Sequence, residues 1–429
     1  MNITVTVYLL VHAIVPSILR DLAKHIGRRP VYTAATIGLA FQRSYAALLI
    51  VRMLQSAGSS AIVALAYAVI SDIARPHEKG IYVGVSHIGF NTAPALGPVI
   101  GGLLASRVGW PWIFVFLSCL CGFVLILLAF FLPETAPNIV GDGSIPATAL
   151  NRTIYTYLRH GRAQTHQKRP KFIMPSVMPS LRLIFHKNTF PVLLANATFY
   201  MMYSVVQATL APLVQIHYGL SPFSAGLGYL GYGVTGAIAS VTVGKITDHD
   251  YIGDDLLKFP IEKARLRTVW VYIVFASTAL LGYGWCVQKN IHISASIVLQ
   301  FVVGFAVTGI FNVCNTLIVD VFPEDSASAS ASVSITRCLM AAGGVTVVEP
   351  ILNAVGPGWT FTIVAVLCYA TVPVLVVERQ RGWRWRVERA RREKAKKIVV
   401  IEQNEKEGDV SAGHREVTGE SCDHNKVVR

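Results

Sequence analysis

Residues 83–106 read VGVSHIGFNTAPALGPVIGGLLAS, and this stretch decides the fold. It is about 24 residues long, apolar enough to enter a bilayer, and free of Lys, Arg, Asp and Glu up to Arg107. Gly97 and Gly101 lie four residues apart, so they share one helix face and let a neighbouring backbone approach closely. Pro98 removes a backbone donor and bends the helix. The stretch therefore predicts a kinked, close-packed helix among other membrane helices.

The rest of the chain is also strongly apolar. Of its 429 residues, 53% are hydrophobic and 14% are charged, whereas soluble proteins average about 25% charged residues. Long apolar runs recur along the sequence, so we predict an all-α polytopic membrane protein with about 11 transmembrane helices. One of these is short, because Val31–Phe41 would span only about 16 Å as a helix.

The distribution of charge predicts the orientation in the membrane. The formal net charge is +14, but the basic residues lie between apolar runs on one predicted side, which indicates the positive-inside rule rather than nucleic-acid binding. Arg20–Arg29 and the C-terminus are therefore expected in the cytoplasm. The basic run Arg379–Lys397 carries Trp383 and Trp385, and we expect it to lie on the anionic inner leaflet.

The apolar and polar segments divide the chain into four parts. These are an incomplete N-terminal helical bundle (1–133), a cytoplasmic basic linker (134–188), a C-terminal helical bundle (189–378), and a cytoplasmic tail that is basic and then disordered (379–429). A short amphipathic helix is predicted around Pro179–Phe185.

A weak internal repeat relates the two bundles. One apolar run ends in AVISDIARPHEKG with Asp72, and another ends in TLIVDVFPEDSAS with Asp320. Two comparable halves are what a transporter needs when its bundles rock around a central site.

Several motifs resemble those of the major facilitator superfamily, and more closely those of its fungal drug:proton antiporter branch with twelve spans. They are DLAKHIGRRP (21–30), IVRMLQSAG (50–58), APALGPVIGG (93–102), LPET (132–135), NTLIVDVFP (315–323), ITRCLMAAGG (335–344) and GWTF (358–361). The resemblance implies a two-bundle fold that lacks the first helix of the family. In the loop motif, Arg20 and Lys24 stand where the family has glycine and aspartate.

The resemblance also implies residues for proton coupling and gating. A charge inside the membrane costs several kcal/mol unless it is paired or hydrated, so Arg52 either couples proton movement to conformation or reaches the outer surface. Arg28 and Asp72 form either a charge relay or an ordinary surface ion pair worth about 0–1 kcal/mol. Arg337 has a functional role or pairs with a carbonyl or a lipid phosphate. Glu349 takes up a proton or lies at the outer mouth.

Two further groups of residues complete the predicted site. By resemblance, the antiporter motif contributes Gly97, Pro98, Gly101 and Gly102. Aromatic and amide side chains of the second half are predicted to line a substrate cavity that accepts a cationic amphiphile on its ring faces; they are Asn196, Tyr200, Tyr203, Gln207, Tyr229 and Tyr232. His12 and His87 lie in apolar spans and are titratable candidates.

The function implied by the resemblance is export of a small drug-like molecule or metabolite by proton antiport, through alternating access. We expect a monomer in the plasma membrane of a fungus, with a small-molecule substrate, protons and membrane lipids as partners, and with no nucleic acid, cofactor or metal. The sequence contains no HExxH, GxSxG or GxxxxGK[ST], which argues against an enzyme or an ATP-driven pump. The alternative is a truncated membrane protein of the same family that does not transport.

Overall fold

The computed structural model describes residues 6–15, 56, 79–109, 111–131, 178–249, 261–322 and 326–419. Every regular element within these ranges is a helix, as the apolar pattern predicts. In chain order the helices are α1 (Thr6–Val15), α2 (Lys79–Arg107), α3 (Pro111–Phe131), α4 (Met178–Ile184), α5 (Phe190–Tyr218), α6 (Pro222–His249), α7 (Ile261–Arg265), α8 (Val269–Gln288), α9 (Ile293–Val321) and α10 (Ser326–Gly419).

Helix α10 consists of two helices joined at Gly356, where φ is 80° and ψ is 170°. Glycine suits this position because its lack of a Cβ makes a positive φ accessible without strain. We call residues 326–355 the first arm of α10 and residues 357–419 the second arm.

The chain reverses direction between these arms. Ser332 in the first arm donates to the Ser180 carbonyl oxygen at 2.7 Å, close to the start of α5, so the first arm runs alongside α5 in the same direction. Gly358 donates its backbone N–H to Gln288 at the end of α8, at 2.8 Å. Arg386, further along the second arm, reaches Glu262 just before α8 begins. The second arm is therefore antiparallel to α8.

A continuous core joins the helices of the C-terminal half. Its fully buried side chains come from α5, α8, α9 and the second arm of α10, with Phe199, Tyr283, Ile310 and Phe361 among the largest. Tyr283 and Phe361 pack edge to face with ring centroids 5.1 Å apart. Membrane helices associate through such packing, because lipid and protein surfaces are similarly apolar.

Five helices of the described residues are long and apolar enough to cross a membrane: Pro111–Leu128, Phe190–Tyr218, Ile261–Gln288, Ile293–Ile318 and the long Ser328–Arg389, which contains both arms of α10. The protein is therefore a multi-pass membrane protein. The predicted total of about 11 spans stays a prediction, since much of the first half lies outside the described ranges.

Two helices of the first half pack against the second half. Leu9 and Ala13 of α1 form a small apolar cluster with Cys338, Ala341 and Val345 of the first arm. Thr6 and Thr346 are joined by a 2.8 Å hydrogen bond in the same contact. Helix α2, which contains the glycine- and proline-rich stretch, packs along α6. These two contacts join the two halves of the described molecule.

The sequence predicts a short amphipathic helix before the C-terminal bundle and a disordered end of the tail after it, and the structure agrees with the first prediction and differs from the second. The short helix expected around Pro179–Phe185 is confirmed as α4; its residue Ser180 is buried, whereas Phe185 just after it is 79% exposed. The tail differs from the expected disorder, because α10 continues as a helix to Gly419. The stretch rich in Glu, Lys, Arg and Ala after Arg386 has high intrinsic helix propensity, which accounts for the continuation.

Candidate functional site

Four aromatic rings form the centre of the C-terminal half, and we call them the tyrosine cluster: Tyr200, Tyr203, Tyr232 and Phe311. Tyr200 and Tyr203 are three residues apart on α5, so helical periodicity places them on one face. Tyr232 of α6 stacks on Tyr203 with centroids 4.8 Å apart, and Phe311 of α9 lies 5.8 Å from Tyr200. Three helices thus contribute rings to a single site.

The predicted residue Arg337 joins this cluster. Its guanidinium carbon lies 4.8 Å from the centroid of the Tyr200 ring, which is a cation–π geometry. The first arm of α10 carries Arg337 next to Cys338, which packs against α1. The arrangement therefore positions one cation over an aromatic surface, at the contact between the two halves.

Helix α1 adds a titratable group beside Arg337. His12 stacks on Tyr8 with ring centroids 5.6 Å apart, and it lies close enough to Arg337 for their charges to interact. Its Nδ1 atom is buried and has no hydrogen-bond partner among the described residues. A proton acquired at this ring would repel the neighbouring guanidinium.

The other predicted cavity residues surround the cluster but contribute differently. Asn196 is buried and donates to the side-chain oxygen of Asn315 at 2.8 Å, so its amide joins α5 to α9. Tyr229 donates its hydroxyl to the backbone carbonyl of Gln207 at 2.8 Å, which joins α6 to α5. These two contacts hold the helices that carry the rings.

The antiporter motif lies on α2, which packs along α6. A Cβ atom added to Gly226 of α6 would lie 2.6 Å from the carbonyl oxygen of Pro98, so the backbones meet at this position. A Cβ added to Gly97 or Gly101 would meet no described atom within 4 Å. The sequence predicts close approach at Gly97 and Gly101, and among the described residues the close approach is found at Pro98 and Gly226. Gly102 is half-buried on the same helix.

Of the remaining predicted gating residues, Glu349 alone lies among the described residues, and the structure does not bring it into the cluster. The Glu349 side chain is exposed in the first arm, twelve residues beyond Arg337. Arg28, Arg52 and Asp72 lie outside the described residues, as does the side chain of His87. Their proposed roles stay predictions.

A second polar site, which sequence reasoning missed, lies at the predicted cytoplasmic end. We call it the cytoplasmic ionic cluster: Glu262, Arg265, Asp320, Glu378 and Arg386. Arg386 and Glu262 are both almost fully buried and pair at 2.9 Å. Arg265 pairs with Asp320 at 3.0 Å, while Glu378 is fully buried and its carboxylate oxygens have no hydrogen-bond partner among the described residues.

This cluster joins the second arm of α10 to the segment before α8. Arg389 extends the contact, since it donates to the carbonyl of Val321 at 2.5 Å and lies 4.1 Å above the Phe322 ring. The sequence contained one signal for the cluster, which is the repeat that relates Asp320 to Asp72. That signal does not predict that Arg386 pairs with Glu262, which lies 124 positions away in the sequence.

The sequence profile of the Major Facilitator Superfamily matches residues 1–345 and, in a second match, residues 192–406. Among curated relatives, the MFS-type transporter phiD of Fungal sp. (strain ATCC 74256) is 35% identical, over 92% of this chain and 64% of the relative. The MFS-type transporter R5 of Phoma sp. is also 35% identical, over 90% of this chain and 78% of the relative. Citrate exporter 1 of Aspergillus niger is 34% identical, over 92% and 81%.

The fold is also found among solved structures. The human organic anion transporter MFSD10 (TETRAN) superimposes with a TM-score of 0.59 at 17% sequence identity, covering 87% of this chain and 83% of that chain. At this identity the match shows a shared fold. The chain spans less than two thirds of the length of phiD, although it covers more of the other two relatives.

Proposed function

We propose that this chain, which belongs to the Major Facilitator Superfamily, exports a small organic anion in exchange for protons by alternating access. The observation that carries the proposal is Arg337, a cation held over the Tyr200 ring at the contact between the two halves of the described molecule. A transporter of this kind binds its substrate between two bundles and exposes it alternately to each side.

The substrate class follows from the chemistry of the tyrosine cluster. Rings alone would accept a cationic amphiphile, but the face of Tyr200 is already occupied by Arg337. A guanidinium binds carboxylate through paired hydrogen bonds, and the stacked rings offer a flat apolar surface beside it. An organic acid with a planar or apolar body fits this combination. The names of two similar proteins, a citrate exporter and an organic anion transporter, agree with this class.

Proton coupling is assigned to the pair His12 and Arg337. The imidazole belongs to the first half and the guanidinium to the second, so their repulsion acts across the contact between the halves. A proton on His12 favours separation of α1 from the first arm, and its loss favours the closed contact. Glu349 is a weaker candidate in this conformation because its side chain is exposed.

Gating is assigned to matched ion pairs on the cytoplasmic side. Arg265 and Asp320 join α7 to the end of α9, and Arg28 with Asp72 is proposed as the equivalent pair of the first half. Arg52 is proposed to contribute to coupling from within the membrane. We further propose that the protein works as a monomer in a fungal plasma membrane.

Efflux measurements test this proposal. The full chain is expressed in a strain that lacks its own exporters, and efflux of radiolabelled organic acids and organic cations is compared with and without an uncoupler. We expect export of an acid that stops with the uncoupler. Arg337→Gln should raise KM about tenfold or more, because a charge-assisted hydrogen bond contributes about 1.5–3 kcal/mol.

The matched controls are Arg337→Lys, which keeps the charge, and Arg381→Gln, which removes an exposed arginine outside the site. Equal export of cations, or export that is indifferent to the uncoupler, would contradict the proposal. Absence of efflux for every compound, with normal membrane insertion, would favour the non-transporting alternative.

A further inference from the structure

A cavity of about 480 Å³ lies at the predicted cytoplasmic end of the seam between α8 and the second arm of α10. Its lining residues are Lys263, Trp270, Val376, Arg379 and Gln380. The volume falls within the range of about 300–1,000 Å³ that is typical of small-molecule sites. The cavity is distinct from the tyrosine cluster, which lies between α5, α6 and α9.

The charge of this cavity is positive and uncompensated. Lys263 and Arg379 come from different elements, and neither has a carboxylate partner among the described residues. Glu262 and Glu378 are their immediate neighbours in sequence, but both carboxylates are fully buried in the cytoplasmic ionic cluster. Two cations therefore converge on one cavity, and no carboxylate of the described residues pairs with them, which favours an anionic ligand.

The indole of Trp270 sets the depth of the cavity in the membrane. Tryptophan concentrates at the level of lipid headgroups, where its ring is apolar and its N–H remains polar. Its Nε1 atom has no hydrogen-bond partner among the described residues, and a small rotation of the ring would offer this donor to a ligand oxygen. Arg379 lies two residues after Val377, where the apolar run ends. The cavity thus lies where an apolar span ends and the aqueous side begins.

Exposed apolar side chains lie on both helices that border the cavity. On α8, Val271, Val274 and Phe275 are 53%, 54% and 57% exposed, and their spacing places them on one helix face. On the second arm, Val366 is 59% exposed and Val377 is 42% exposed. A ligand with a phosphate in the cavity could lay hydrocarbon chains on this surface, whereas free phosphate would leave it unused.

The helices on either side of this surface are held together beneath the cavity. Thr278 of α8 and Tyr369 of the second arm share a 2.8 Å hydrogen bond between their hydroxyl groups. The cavity is therefore an opening at one end of a closed seam, rather than a gap that runs along the whole helix pair.

From these observations we infer that Lys263, Arg379, Trp270 and Gln380 bind the phosphate of an anionic phospholipid from the cytoplasmic leaflet, with its acyl chains lying along α8 and the second arm. The site is independent of the transported substrate. Because Arg379 and Gln380 follow the last span while Lys263 precedes α8, the bound headgroup joins the two segments that the cytoplasmic ionic cluster also joins.

Lipid binding to the purified full chain tests the inference. Native mass spectrometry in detergent measures binding of dioleoylphosphatidic acid, with dioleoylphosphatidylcholine as the neutral probe and inorganic phosphate as a competitor. We expect one phosphatidic acid molecule to bind preferentially and to resist millimolar phosphate. Lys263→Gln and Arg379→Gln should each weaken binding about fivefold, since each basic residue near the leaflet contributes a factor of this size.

The matched control is Arg381→Gln combined with Arg384→Gln, which removes two exposed arginines of the same helix that do not line the cavity. This control should retain the binding that Lys263→Gln combined with Arg379→Gln loses. Equal loss in the two double variants would show diffuse attraction to the tail and overturn the inference. Full displacement by phosphate, or equal binding of phosphatidylcholine, would also overturn it.

A further variant, Gln380→Glu, tests the same site in case the variants that lose a cation do not fold. Gln380→Glu adds a carboxylate at the exposed edge of the cavity without removing a cation, and it should also weaken binding of phosphatidic acid. Retention of full affinity in Gln380→Glu would contradict the assigned site.

Discussion

The tyrosine cluster and the cytoplasmic ionic cluster use the same kind of residue in opposite ways. Each contains a partly or fully buried arginine on α10. In the ionic cluster, Arg386 pairs with the buried carboxylate of Glu262 at 2.9 Å. In the tyrosine cluster, Arg337 lies over the Tyr200 ring at 4.8 Å.

This difference indicates that the cytoplasmic ionic cluster holds two segments together, whereas the tyrosine cluster is suited to binding a ligand. A buried ion pair with matched partners fixes two segments, because breaking it leaves a charge without compensation. A cation over a ring is stabilised by a weaker contact of about 0.5–2 kcal/mol, and a guanidinium has five N–H donors with which it can bind a carboxylate. We therefore expect changes in the ionic cluster to alter stability, and changes in the tyrosine cluster to alter substrate affinity.

The largest effect is expected from Arg386→Gln. The variant leaves Glu262 buried without its cation and next to the buried Glu378, so unfolding should become easier by about 3–5 kcal/mol. Thermal unfolding of the protein in detergent measures this change. The control is Arg392→Gln, whose pair with Glu388 is exposed and should contribute little. Similar melting temperatures for the two variants would show that the ionic cluster does not hold the second arm.

The next largest effect is expected from Gly226→Leu. A side chain here would overlap the carbonyl of Pro98, which should destabilise the contact between α2 and α6 by about 1–3 kcal/mol and abolish export.

Gly101→Leu is the matched comparison, because a Cβ at this position meets no described atom within 4 Å. We expect its stability to be unchanged and its export to be lost, as the antiporter motif implies. Melting curves and efflux assays of Gly226→Leu and Gly101→Leu measure these effects. Normal export by Gly101→Leu would show that the helix face carrying Gly101 does not pack against a neighbouring helix during transport.

A moderate effect on affinity is expected from Tyr200→Leu. The variant keeps an apolar side chain but removes the ring beneath Arg337, so the guanidinium loses its positioning contact. The apparent KM for the exported acid should rise by up to about tenfold. Tyr200→Phe keeps the ring and should behave like the parent protein; an equal rise in KM for both would assign the effect to the hydroxyl instead.

The smallest effect is expected from Glu378→Gln. Glu378 lies buried close to the carboxylate of Glu262 and has no hydrogen-bond partner of its own among the described residues, so removal of its negative charge should not weaken the cluster. We expect the melting temperature to stay constant or to rise by the equivalent of about 1 kcal/mol. A clear loss of stability would mean that the Glu378 carboxylate holds a partner of its own.

The periodicity of α5 shows how far the site could be predicted. Tyr200 and Tyr203 were both proposed as cavity residues, and their three-residue spacing on α5 places them on a common face. The rings that complete the cluster, Tyr232 and Phe311, lie on other helices. The rotation of those helices about their axes depends on packing, so the sequence does not show which of their residues face α5. Tyr232 was proposed as a cavity residue from composition alone, and Phe311 was not proposed.

Local chemistry, readable in the chain itself, determined that this is a membrane protein built from helices. The apolar runs lack charge and transfer into lipid, and the basic residues between them cluster on one side. Pro98 and its neighbouring glycines act on the helix within a few residues. The tertiary structure alone decided that Gly226 meets Pro98, that Arg337 covers Tyr200, and that Arg386 finds Glu262. These contacts join residues far apart in sequence, and their formation depends on which helix faces meet.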